Sequence, residues 1–118
     1  MGNPVVHFEV AGRDAQALES FYKDAFDWRM EEAMANPYYA MAYPDGEGGI
    51  NGGIGQAMDG EAGHVTFYVA VPDLEAALSK IEGLGGSTVM GPVDVPEGPS
   101  IAMFSDPEGH VVGLLKID

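Results

Sequence analysis

His64-Val65-Thr66-Phe67-Tyr68-Val69-Ala70-Val71-Pro72-Asp73-Leu74-Glu75-Ala76-Ala77-Leu78 is a strand signal running straight into a helix signal. Up to Val71 the side chains are mainly β-branched or aromatic, which suits a pleated, half-buried strand. Pro72 and Asp73 then open a helix, the proline fitting its start and the aspartate capping it. Leu74, Ala77, Leu78, Ile81 and Leu84 fall on one helical face, and Gly85-Gly86 stops it. The same order of signals stands earlier. Val5 to Val10 is a β-rich run ending at Gly12, and Asp14 offers an N-cap. Ala15, Leu18, Phe21, Tyr22, Ala25 and Phe26 recur at helical spacing and predict a helix from about Asp14 to Phe26. The two capping aspartates stand 59 residues apart.

The signals after each helix match as well. Trp28 to Glu32, Tyr38 to Tyr43 and Ile50 to Gln56 read as strands following the first helix. The glycines of the third run suggest a bulge or a close backbone approach. Thr88 to Met90, Ser100 to Phe104 and Val111 to Ile117 read as strands following the second. Val93 to Pro99 reads as a loop or edge segment, because its prolines do not fit a central strand. Turns holding Asp, Pro and Gly, Pro44-Asp45-Gly46 and Asp106-Pro107-Glu108-Gly109, precede the last strand of each copy. The chain is thus an α+β protein built from two tandem βαβββ modules, about 3–58 and about 62–118, in a single domain over 1–118. Each module has one apolar sheet face that must be covered. Two such faces around a pseudo-two-fold predict a curved, half-closed mixed-sheet cup, with the helices outside and a ligand inside.

With 118 residues, one core is affordable without disulfides or metal staples. Five Lys and Arg against 19 Asp and Glu leave a net charge of −14, which disfavours nucleic acid and anionic membrane surfaces. The same charge permits cationic ligands. The absence of cysteine removes disulfides, thiolate zinc sites and cysteine nucleophiles. Met1-Gly2-Asn3-Pro4 has no basic start or apolar run of a signal peptide, so a cytoplasmic location is expected. The glycine-rich 46–55 stretch lacks the Lys-Ser/Thr ending of a phosphate loop. Only Arg13 and Arg29 could clamp an anion with a guanidinium, which disfavours a coenzyme A ligand.

Three stretches resemble the vicinal oxygen chelate superfamily, which includes glyoxalase I, bleomycin-resistance proteins and extradiol dioxygenases. They are His7-Phe8-Glu9-Val10 with Asp14 and Phe21-Tyr22; Val71-Pro72-Asp73-Leu74-Glu75-Ala76-Ala77-Leu78 with Leu84-Gly85-Gly86; and Phe104-Ser105-Asp106-Pro107-Glu108-Gly109-His110. The resemblance implies a metal ligand on the first and last strand of each module. His7 matches the first of these positions. The equivalent in the second module is Thr66, a poor ligand for a transition metal. The last-strand acidic position falls on Gly113, and the matching stretch Asn51-Gly52-Gly53 has no carboxylate or imidazole. The resemblance therefore implies a degenerate metal site and no cofactor. The alternative is a divalent transition metal rebuilt on His7, His64 and Glu9, a two-histidine, one-carboxylate set.

His7 and Glu9 are the catalytic candidates, since a carboxylate beside an imidazole can move protons. Glu9 reads equally as a cavity group or as part of a solvated face. Trp28, Tyr38, Tyr39, Tyr43 and Tyr68 can stack on a flat ligand or pack in a core, and Met30, Met34, Met41 and Met103 can form an adaptable wall. The expected ligand pocket consists of His7, Glu9, Trp28, Tyr43, His64, Thr66, Tyr68 and Met103. His110 reads as a surface turn residue. Two functions remain open. One is a metal-independent small-molecule-binding protein similar to the bleomycin-resistance branch, holding an aromatic or cationic ligand. The other is a lyase, isomerase or dioxygenase that uses a metal or the His7–Glu9 pair. The resemblance implies a homodimer, with C2 symmetry.

Overall fold

The computed structural model describes residues 2–96 and 98–117. Met1, Glu97 and Asp118 lie outside the described residues, so the expected Met1–Pro4 start and Val93–Pro99 loop are each seen only in part. The elements run β1 (Val5–Gly12), α1 (Ala15–Phe26), β2 (Arg29–Ala35), β3 (Tyr38–Tyr43), β4 (Gly52–Gln56), β5 (Gly63–Val71), α2 (Leu74–Gly83), β6 (Ser87–Asp94), β7 (Ser100–Ser105) and β8 (Val111–Lys116). This is βαβββ twice, as the repeat in the sequence requires.

The chain divides into two compact units, His7–Val65 and a second that joins the residues up to Val6 with Thr66 onward. In the first, the strand order is β2-β3-β4-β1, with β4 antiparallel to β3 and parallel to β1. In the second, the order is β6-β7-β8-β5, with β8 antiparallel to β7 and parallel to β5. The two topologies are identical.

Asp14 Oδ1 accepts from Ala17 N at 3.1 Å and Asp73 Oδ1 from Ala76 N at 3.0 Å, so both aspartates cap as their spacing predicts. Gln56 at the end of β4 adds a second cap, its Oε1 accepting from Ala15 N at 3.1 Å. Asp27 ends α1 in the left-handed region at φ 60°, with its N–H on Lys23 O. In the second unit, Leu74 and Leu78 of α2 bury against Val71, Ala102 and Leu114, with Ile81 and Phe104 at the margin. In the first unit, Val10, Ala15, Ala40, Ala42 and Ile54 are buried.

β6 corrects one expectation. It runs on through Pro92 to Asp94 instead of ending at Met90. Its register against β7 shifts between Thr88 and Met90 and again between Met90 and Val93. As the outermost strand of its unit it can hold a proline, which has no N–H to offer, at such an irregularity. Among the described residues no helix is long and apolar enough to cross a membrane.

Candidate functional site

The site is built on one face of the first unit. Strand residues alternate between faces, and the register aligns Glu9 with Gly53 and Gly53 with Met41, then Ala11 with Gly55 and Gly55 with Tyr39. His7 and Glu9 therefore share a face with Tyr39, Met41 and Tyr43. Phe8, Val10, Ala40, Ala42 and Ile54 share the other, which faces α1.

Tyr39 starts on β3 and reaches across β4 to β1. A Cβ on Gly53 would stand 1.8 Å from the Tyr39 hydroxyl, and one on Gly55 would stand 2.8 Å from its ring. The two glycines thus leave a trough in which the ring lies. Both registers of β4 run without a break here, so the close-approach reading of its glycines holds and the bulge does not. Neighbouring Tyr38 points the opposite way and donates its phenol proton to Glu19 of α1. That carboxylate pushes the Tyr38 pKa up to about 12.

At the end of its reach the Tyr39 hydroxyl donates to Glu9 Oε1 at 3.1 Å and stands 2.8 Å from His7 Nε2. The second oxygen, Glu9 Oε2, stands 2.7 Å from Nε2 of His64, which begins β5 within the same unit. The polarity of the array follows. A carboxylate only accepts. The phenol proton is directed to Glu9, so His7 Nε2 is the donor to the phenol oxygen. His64 Nε2 likewise donates to Glu9. The result is a chain, His7–Tyr39–Glu9–His64, graded from a half-buried imidazole to one whose side chain is 45% exposed. The Glu9 side chain is only 13% exposed, so it is not part of a solvated face. Burial lowers the His7 pKa, and the nearby Glu9 charge opposes that shift without overcoming it.

The donor set does not fit a metal in this arrangement. Ligation needs an imidazole lone pair and an open carboxylate oxygen. Here both Nε2 atoms carry protons toward acceptors, and both Glu9 oxygens already accept hydrogen bonds. Tyr39 stands between His7 and Glu9. Among the described residues no group of three or more His, Cys, Asp or Glu is arranged to hold an ion.

The other expected pocket residues fall in both units. Trp28 lies on the α1 side, packed on Phe8 at 5.2 Å, Tyr22 at 5.6 Å and Phe26 at 5.4 Å between ring centroids. Tyr43 is on the His7 face but lies beneath the Arg29 guanidinium, 4.3 Å from the ring centroid. Thr66, Tyr68 and Met103 belong to the second unit. Thr66 donates to Val111 O at 2.7 Å. Tyr68 aligns with Gly113 and Gly113 with Met103. A Cβ on Gly113 would meet the Tyr68 ring at 2.3 Å. Both glycines at the last-strand positions, Gly53 and Gly113, are therefore covered by a tyrosine ring. His110 caps its own turn through Asp106 at 2.9 Å. The role of Tyr39 was not singled out by sequence reasoning, although the glycines at 53 and 55 were its signal.

Two βαβββ units in tandem, with the same strand order in each, are the architecture of the vicinal oxygen chelate class. The model of the Glyoxalase/Bleomycin resistance protein/Dioxygenase superfamily matches residues 5–114, and the chain belongs to that superfamily. It is 33% identical over 87 residues to the protein named "Putative glyoxylase CFP32" in Mycobacterium bovis and Mycobacterium tuberculosis. That match covers 74% of this chain and 33% of the relative, so the chain spans about a third of the length of these curated relatives. A hypothetical protein from Bacillus halodurans C-125 superposes with a TM-score of 0.74 at 14% identity, covering 100% of this chain and 96% of that one. Methylmalonyl-CoA epimerase from Mycobacterium tuberculosis superposes with a TM-score of 0.73 at 14% identity, covering 97% and 87%. At these identities the likeness is one of fold.

Proposed function

We propose that the chain is a small-molecule-binding protein of the glyoxalase/bleomycin-resistance type that works without a metal, with residues 1–118 acting as one domain. The observation that carries this reading is the Tyr39 phenol, seated over Gly53 and hydrogen-bonded between His7 and Glu9. Protons join the groups that an ion would otherwise join. The ligand class we propose is aromatic or cationic, because the array offers a carboxylate and a ring within a chain of net charge −14. A coenzyme A ester, the substrate class of the epimerase neighbour, is disfavoured. Arg29 is held by Asp45 and Glu31, and Arg13 turns to Glu61 O at 3.4 Å. A C2 homodimer in the cytoplasm belongs to the same proposal.

The test is a thermal-shift screen of chelator-treated protein against benzylamine, benzamidine and larger aromatic amines, with neutral aromatics alongside. The reading predicts compounds that raise Tm in the native chain and fail to do so in Glu9→Gln and Tyr39→Phe. Stabilisation by divalent zinc, nickel or manganese, with none by any organic compound, would contradict it.

One observation favours a second reading, an acid–base lyase or isomerase. The lowered pKa of His7 keeps its imidazole neutral at pH 7, able to exchange a proton, and the phenol links it to a carboxylate. In that case a His7→Ala variant loses turnover rather than affinity alone.

A further inference from the structure

We propose that the C-terminal end of α1 is a docking surface for a basic, amphipathic protein segment, which lays apolar side chains and arginines on exposed rings framed by carboxylates. The surface lies on the face of the sheet opposite Tyr39, so it is a second site and does not depend on the ligand reading above.

Three observations carry it. First, the two helices of the repeat are covered differently. α2 buries Leu74 and Leu78, whereas the one buried residue of α1 is Ala15, at its start. Toward the other end of α1 five rings gather. Tyr22 sits among them, with centroids 5.1 Å from Phe21, 5.6 Å from Trp28 and 6.3 Å from Phe26, and Trp28 also packs on Phe8. None of the five is buried, and Phe21 and Phe26 are 61% and 58% exposed. A contiguous apolar patch of this kind marks an interaction site, and aromatic rings are the side chains that interfaces favour.

Second, the rim is acidic. Asp24 lies on the side of the helix that carries Phe21, three residues before it. Asp27 follows Phe26 at the C-cap, and Glu32, aligned with Ala40, points to the same face of the sheet. All three are exposed, and Lys23 is the only cation of α1. The complementary partner is therefore cationic. A second copy seated on this surface by two-fold symmetry would set Asp24 and Asp27 against their own counterparts, in a chain of net charge −14. Nucleic acid and anionic lipid are repelled for the same reason.

Third, the chain makes such a contact with itself. The Arg29 guanidinium lies 4.3 Å from the Tyr43 ring centroid while its Nε donates to Asp45 at 2.9 Å. A guanidinium between a ring and a carboxylate is attracted by both. Phe21 with Asp24, and Phe26 with Asp27, offer an incoming arginine the same pair of groups.

Trp28 is the only tryptophan, and its ring belongs to the cluster, so its fluorescence reports on the surface. The test is titration with a synthetic helical peptide of about four turns, leucine on one face and arginine on the other. A twin with glutamate in place of arginine is the control. Native protein is expected to shift its Trp28 emission to the blue with the basic peptide and not with the twin. Binding should weaken about ten-fold or more in Phe21→Ser/Phe26→Ser and in Asp24→Lys/Asp27→Asn. The charge pair leaves every ring in place, so it carries the test if the phenylalanine pair does not fold. No binding by the native chain, or equal binding of the twin, overturns the proposal. So does binding that the charge pair leaves unchanged, which would mean an apolar partner or another surface. Sedimentation gives the remaining outcome: a native dimer that becomes monomeric in Phe21→Ser/Phe26→Ser would assign the surface to a second copy and overturn it as well.

Discussion

Tyr39 shows how much one side chain can settle. Its phenol hydrogen-bonds both His7 and Glu9 in a half-buried setting, where losing a hydrogen bond is costly. Tyr39→Phe is expected to lower unfolding stability by about 1–2 kcal/mol, the worth of the bond plus part of the desolvation left on His7 and Glu9. Urea unfolding measures this, and a variant as stable as the parent would show that the phenol bridges nothing. His7 gives a second prediction at the same scale. Its folded pKa lies below the 6.5 of the free side chain, because burial disfavours the charged ring. Between the two values the unfolded chain holds the extra proton. The contribution of His7 is therefore fully present above about pH 6.5 and is lost as pH falls through the folded pKa. Unfolding free energy should decline from that point toward acid, and His7→Asn should flatten this part of the profile. His7 was legible in the sequence because its spacing to Asp14 marked it. Tyr39 was hidden because its importance lies in where it ends, two strands away from its own β-carbon.

Strand β4 carries the lesson at the scale of elements. Gly52, Gly53 and Gly55 read as a weak strand by propensity alone. The structure shows them as the receiving half of packing on both faces, under Phe8 on one side and Tyr39 on the other. Gly53→Ala should thus act through Tyr39, expelling the ring and costing about 1–3 kcal/mol. In a Tyr39→Ala background the same change should cost much less, and a double-mutant cycle from chemical denaturation measures the coupling. Additive effects would separate the glycine from the tyrosine. The helices were fully legible, since caps and apolar spacing are local signals. β6 was not, because a proline can be placed in a strand only once its edge position and register shifts are known.

For the whole molecule, duplication was the most informative reading. Two runs of the same local signals fixed the element order and, through it, the identical strand orders of both units. Local signals do not say which side chains cross between strands, which is why Trp28 was grouped with His7 although it packs toward α1. Charge also acts at this scale. A net −14 on 118 residues makes the folded state self-repelling. Added sodium chloride screens that repulsion, so Tm should rise between low and about 0.5 M salt, as the Debye length shrinks below about 10 Å. A Tm that falls with salt would mean that attractive pairs such as Arg29 with Asp45 outweigh it.

The claim that a phenol, and not an ion, joins His7 to Glu9 is tested most directly by long-range proton–nitrogen NMR of the imidazole rings, with and without one equivalent of zinc. The account predicts a neutral His7 protonated at Nε2 in the native chain, unchanged by zinc and altered in Tyr39→Phe. A His7 ring whose nitrogen shifts move on adding zinc, while Tyr39 is intact, would contradict it.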